Sequence, residues 1–254
     1  MSSAIYPSLQ GRSVFVTGGG SGIGAQIVRR FCEQGCKVAF VDIDRDGSEA
    51  LVAALGGEGV PPPLFLHCDL RDIEALRATI RTAAEANGPI TVLVNNAARD
   101  DRHAFDTVTP DYWDERFAVN LKHQFFAAQA VQPMMREAGG GSIINMGSTS
   151  WMVGQGGMAA YTAAKSAVLG LTRSLARDWG PDNIRVNSVA PGWIMTERQI
   201  SKWLSPAGEA ELMTRQCLKR KLYPDDIARV VLFLAADDSS AMTNQSYIVD
   251  GGWV

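Results

Sequence analysis

With 254 residues, 46% of them hydrophobic and 20% charged, the chain has enough apolar material for a buried core and too little charge for a disordered polymer. A formal net charge of −3 gives no electrostatic case for nucleic acid or an anionic membrane as partner, and the apolar runs are strand-sized rather than membrane-sized. The opening segment Met1 to Gln10 has neither a basic stretch nor an apolar core, so no signal peptide is expected and the expected location is cytoplasmic.

The first expected strand is Ser13 to Thr17, followed by a helix from about Ile23 to Gln34 that Gly35 stops. Between them lies Thr17-Gly18-Gly19-Gly20-Ser21-Gly22-Ile23-Gly24. Glycines between a strand and a helix let backbone approach a pyrophosphate closely, while helix N–H groups point at it. The spacing is Gly-x-x-x-Gly-x-Gly rather than the general dinucleotide fingerprint, and a plain tight turn is the bland alternative. Cys32 and Cys36 are expected on one face of this helix as buried thiols.

The second strand, Lys37 to Asp42, ends on an acid eighteen residues beyond Gly24. A carboxylate there accepts both adenosine ribose hydroxyls, and Gly20, Ser21 and Ile43 supply no cation for a 2′-phosphate. NAD is therefore expected rather than NADP. A helix from about Arg45 to Leu55, a glycine and proline breaker cluster, and a third strand from Leu64 to Cys68 follow. His67 beside Cys68 does not suggest a metal site, because a strand sends adjacent side chains to opposite faces.

The next helix is expected at about Asp72 to Ala86, then a strand at Ile90 to Val94, one long helix from about Asp111 to Glu137, and a strand at Gly141 to Met146. A helix from about Met158 to Trp179, a strand from Arg185 to Val189, a helical region near Pro206 to Gln216, a helix from Pro224 to Ala236 and a strand at Ser246 to Asp250 complete the chain. This alternation predicts an α/β fold: a Rossmann-type, doubly wound parallel sheet of about seven strands flanked by helices, as a single domain over residues 1–254.

Tyr161 stands four residues before Lys165 and thirteen after Ser148. On a helix that spacing puts phenol and ammonium on one face, where the cation favours phenolate. A serine at a strand end then holds a substrate oxygen within reach of that base. Alone, Tyr-x-x-x-Lys is usually just a helix face; beside the glycine loop it points to a dehydrogenase. Trp151 and Trp193 offer flat faces to the C–H side of a sugar ring, and Gln155 offers a hydrogen bond to a hydroxyl. Core or subunit-contact roles compete for both tryptophans, and a solvated or interface role is favoured over substrate contact for the loop Arg99 to His103.

With the glycine loop, Asp42, Asn95-Asn96-Ala97-Ala98, Asn120, Ser148, Tyr161, Lys165, Pro191-Gly192 and Asp250-Gly251-Gly252 in one order, the chain resembles the short-chain dehydrogenase/reductase family over essentially its whole length. That family's Asn, Ser, Tyr and Lys tetrad maps onto Asn120, Ser148, Tyr161 and Lys165. The resemblance implies that Ser148 stabilises the substrate oxygen, Tyr161 acts as base, Lys165 lowers the tyrosine pKa and binds the nicotinamide ribose, and Asn120 holds a proton-relaying water. It also implies NAD contacts at Gly18, Ser21, Gly22, Ile23, Gly24, Asp42, Asp69, Leu70, Asn96, Ala97, Tyr161, Lys165, Pro191, Gly192, Ile194 and Thr196, and a homotetramer. Ala98 departs from the glycine usual after Asn-Asn-Ala, and a slight backbone adjustment is expected there.

The segments Ile5 to Leu9, Arg99 to His103, Tyr112 to Arg116 and Gln216 to Lys219 resemble those of bacterial NAD-dependent aldose 1-dehydrogenases of the D-xylose type. This implies oxidation of an aldose at C1 to its lactone, with Ser148, Ser150, Trp151, Gln155 and Trp193 as the expected substrate contacts. A sugar-acid or 3-hydroxyacyl dehydrogenase on the same scaffold and a non-catalytic NAD-binding module remain as alternatives, the latter weakened by the intact tetrad.

Overall fold

The computed structural model describes residues 4–254; residues 1–3 of the opening segment lie outside the described residues. Strands β1 (Ser13–Thr17), β2 (Lys37–Asp42), β3 (Leu64–His67), β4 (Val92–Asn95), β5 (Gly141–Met146), β6 (Ile184–Pro191) and β7 (Ser246–Val249) form one parallel sheet in the order β3-β2-β1-β4-β5-β6-β7. The helices are α1 (Gly22–Glu33), α2 (Arg45–Gly57), α3 (Ile73–Asn87), α4 (Pro110–Phe117), α5 (His123–Glu137), α6 (Ala159–Trp179), α7 (Glu197–Lys202), α8 (Pro206–Arg215) and α9 (Pro224–Ala235).

All five residues of β1 are buried, as in a strand covered on both faces. Its alternation appears in what each side chain meets. Val14 and Val16 pack with Ile27 and Phe31 of α1 and Val231 of α9, while Phe15 packs with Ile80 of α3, Val131 of α5 and Leu175 of α6. Each such burial contributes roughly 1.5–3 kcal/mol. Several helices begin at residues whose side chains accept from the first turn: Asp44 from the Gly47 amide, Asp72 from Ala75, Thr109 from Tyr112 and Ser205 from Gly208.

Four expectations change. The long helix expected from Asp111 to Glu137 is interrupted at residues 118–122 by a π-helical turn with Asn120 at its centre. A single widened turn adds no breaker residue, so the sequence carries no stop signal for it. Helix α7, capped by the Thr196 hydroxyl accepting from the Gln199 amide, had no periodicity to announce it. Strand β4 starts at Val92 rather than Ile90, and β6 runs on to Pro191. Cys36 is not on a helix with Cys32, because α1 ends at Glu33 and Gly35 turns the chain at φ +75°. Both thiols are buried in one cluster, and burial pushes each up to about 12.

Strand order reverses between β1 and β4, and the crevice outside the carboxyl ends at such a reversal is where α/β sheets bind ligands. Among the described residues no helix is long and apolar enough to cross a membrane.

Candidate active site

The segments leaving β4, β5 and β6 line a cavity of about 450 Å³, with Ile23 at the start of α1 and Tyr161 and Lys165 of α6 in its wall. Its size suits a small ligand.

The glycine loop is shaped by close approach. Gly18 sits at φ +67°, and a Cβ there would lie 2.7 Å from the Ala97 Cα; at Gly24 a Cβ would lie 1.8 Å from the Gly18 carbonyl oxygen. No other residue fits either position. Asn96 fastens the loop to β4: its side-chain amide donates to the Thr17 and Gly18 carbonyls at 3.1 and 2.8 Å, and its backbone N–H donates to the Thr17 hydroxyl at 3.0 Å. Asp42 ends β2 with its carboxylate accepting from the Gly20 and Asp44 amides at 2.8 and 2.9 Å. Beside it Ile43 is 60% exposed, offering an apolar face and no cation.

Ser148 follows β5. Its hydroxyl donates to the Ser150 hydroxyl at 3.0 Å and accepts from the Ser150 amide at 3.1 Å, which fixes the turn. Tyr161 lies in the first turn of α6, close enough to Ser148 for the serine to act on its phenol; Lys165, one turn on and 2% exposed, donates to the Met146 carbonyl at 2.7 Å. The Lys165 Nζ is 5.8 Å from the centre of the Tyr161 ring. The expected charge balance is not what the protein alone produces. Burial pushes the Tyr161 phenol up to about 12, against the pull of Ser148 and Arg102, and pushes the Lys165 ammonium down to about 7. Desolvation favours the neutral form of each.

Asn120 is fully buried in the π turn. Its oxygen accepts from the Arg99 amide at 2.9 Å, and its nitrogen donates to the carbonyls of Arg116 and Arg99 at 2.9 and 3.2 Å. The side chain thus clamps the segment after β4. Next to it His123, also fully buried, is pushed down to about 3 by burial and by Lys165, so it stays neutral.

Pro191, Gly192, Ile194 and Thr196 all line the cavity, as do Ser150, Gln155 and Trp193. Trp151 does not: it sits in the turn after Ser150, outside the cavity wall. Asp69 and Leu70 are also absent from the wall. The Asp69 carboxylate is held by Arg71, and Leu70 packs into the core. Ser21, Gly22 and Ala97 lie at the loop but not at the cavity itself. Ala98 lines the cavity without a left-handed φ, so alanine is accommodated where glycine was expected.

Sequence reasoning missed the second wall. Asp100 and Arg102, from the loop expected to be solvated or at an interface, face Gln199 and Trp203 across the cavity. Gln199 and Arg198 donate to the Asp100 carboxylate at 2.7 and 3.2 Å, and Arg198 and Arg116 both pair with Asp101. The Arg102 guanidinium stacks 5.1 Å from the Trp203 ring centre and has no carboxylate within 4.0 Å among the described residues. The signals for it were the density of charge in Arg99-Asp100-Asp101-Arg102 and the resemblance of Arg99 to His103 to aldose 1-dehydrogenases.

A family model described as enoyl-(acyl carrier protein) reductase matches residues 18–254. The D-xylose 1-dehydrogenase of Caulobacter vibrioides is 50% identical over 253 residues, covering 100% of both chains. The Rhizobium meliloti protein named "Probable galactose dehydrogenase GalD" is 50% identical over 250 residues, covering 98% of each. Among solved structures, a mutant of a short-chain dehydrogenase/reductase from Serratia marcescens superposes with a TM-score of 0.88 at 35% identity, covering 97% of this chain and 99% of that one.

Proposed function

Since this chain belongs to the short-chain dehydrogenase/reductase family of oxidoreductases, we propose that it is an NAD-dependent aldose 1-dehydrogenase, oxidising a cyclic sugar at C1 to its lactone. The observation that carries the reading is the meeting of Ser148, Tyr161 and Lys165 on one cavity, in a chain 50% identical over its length to a protein named D-xylose 1-dehydrogenase.

The glycine cradle fits a dinucleotide, since Gly18 and Gly24 leave backbone where side chains would block a pyrophosphate. Gly18, Ser21, Gly22, Ile23 and Gly24 would hold the phosphates, Asp42 the adenosine ribose, and Asn96, Ala97, Pro191, Gly192, Ile194 and Thr196 the nicotinamide half. Asp42 favours NAD, because a carboxylate that accepts ribose hydroxyls repels a 2′-phosphate. A bound oxidised nicotinamide would supply the hydride acceptor.

At the reacting carbon, Ser148 holds the C1 hydroxyl and stabilises charge developing on its oxygen, while Tyr161 takes the proton as general base. Lys165 binds the nicotinamide ribose, and its cationic form favours phenolate. Asn120 acts by fixing the segment after β4, which carries much of the wall. A homotetramer is the assembly we expect. A panel of pentoses, hexoses, sugar acids and hydroxyacyl substrates, offered with NAD and with NADP and followed by nicotinamide reduction, tests the reading. Oxidation of free aldoses with NAD is expected; turnover confined to sugar acids or hydroxyacyl compounds overturns it. Arg102 is the observation that keeps sugar acids in the panel, whereas Asp100 in the same cavity disfavours a second carboxylate.

A further inference from the structure

The geometry points to Asp100 as the residue that reads hydroxyl groups of the substrate away from the reacting carbon, an acceptor site for a vicinal diol. The inference rests on the aldose reading and adds what selects a polyhydroxylated ring over a simple carbinol.

Asp100 lines the cavity that contains Ser148 and Tyr161, with its side chain 19% exposed. It is also close enough to both Tyr161 and Lys165 for its charge to act on them. Both side-chain donors to its carboxylate come from α7. Oδ1 accepts from the Arg198 Nε at 3.2 Å and Oδ2 from the Gln199 Nε2 at 2.7 Å. A carboxylate has about four acceptor positions, so roughly two remain.

The orientation is fixed by a chain of contacts. The Trp193 indole N–H donates to the Gln199 Oε1 at 2.9 Å, which leaves the Gln199 Nε2 as the end that faces Asp100. Two oxygens about as far apart as neighbouring hydroxyls, each with an unused lone pair, can accept from two adjacent O–H groups at once. A substrate that shuts water out of the cavity but lacks the hydroxyls leaves a charged acceptor without a partner. Arg198 is shared with Asp101, which is bonded to Arg116 and Arg99 but is not part of the cavity wall. Asp100 therefore reaches the ligand, while Asp101 only holds the loop.

The test compares an aldose that the enzyme oxidises with its monodeoxy analogues, in the parent and in Asp100→Asn, reading kcat/KM. In the parent, one or two deoxy positions should lose about 10- to 150-fold, the factor a hydrogen bond to a charged group supplies. In Asp100→Asn the full sugar should fall by a similar factor and the penalty at those positions should shrink to within about threefold. Asp101→Asn, which loosens the same loop without touching the cavity, should leave the penalties in place. NADH binding followed by tryptophan energy transfer shows that each variant is folded. Undiminished penalties in Asp100→Asn overturn the inference while the aldose reading stands. A parent with no deoxy penalty also overturns it, whatever the variants do. A parent that oxidises no free aldose instead overturns the aldose reading, and this inference with it.

Discussion

A tyrosine whose pKa burial has pushed up to about 12 is a strong base once ionised but rarely ionised at neutral pH, so the groups that lower it decide the rate. Tyr161→Phe removes only the proton acceptor. Turnover should drop about 10²- to 10⁴-fold with NADH binding nearly unchanged; comparable turnover in variant and parent would contradict the assignment. Lys165 gives a second test, through stability. Its folded pKa of about 7 lies below the 10.5 of a free lysine, so between those values the unfolded chain binds a proton that the folded chain does not. Stability of the cofactor-free protein should therefore rise with pH across that window and fall as pH drops back through it. Urea denaturation of parent and Lys165→Met should show this slope in the parent and a flatter one in the variant; equal slopes would mean that the lysine keeps its charge on folding. These residues were legible because a four-residue spacing has one meaning on a helix. Trp151 was placed less well as a substrate contact, since side-chain direction in a turn depends on the packed structure. Asp100 was missed for the converse reason: a loop's path decides which of several adjacent charges faces inward.

The π turn between α4 and α5 shows what an element adds beyond its residues. It turns the Asn120 side chain onto the backbone of Arg99 and Arg116, three hydrogen bonds that tie the helix to the loop carrying Asp100 and Arg102. Asn120→Ala removes all three and strands buried backbone groups. The expected loss is about 2–4 kcal/mol in a denaturant titration, together with reduced turnover. A loss under about 0.5 kcal/mol would show that the clamp is not holding the loop. Strands and most helices could be read from period and caps, as Asp72 at the start of α3 illustrates. The π turn and α7 could not, because one is a single widened turn with no breaker residue to mark it, and the other is six residues positioned by ion pairs with the loop after β4.

On the molecular scale, Trp113 of α4, Phe125 of α5 and Ile248 of β7 are all exposed apolar side chains. They lie on two helices and the carboxyl-terminal strand, and burying them between the subunits of a tetramer with closed symmetry would contribute a few kcal/mol. Light scattering at micromolar concentration should give four times the 27.4 kDa of the chain; a stable monomer would contradict the assembly.

The sheet delivers cofactor cradle, base and hydroxyl-reading loop to one crevice, and their joint consequence is the position of the oxidised carbon. NMR of the product formed from a 1-¹³C-labelled aldose with NAD measures it directly. The predicted result is a labelled lactone carbonyl that appears with NADH and later opens to the acid. A ketone at an internal carbon, with the label still at an anomeric carbon, would contradict oxidation at C1.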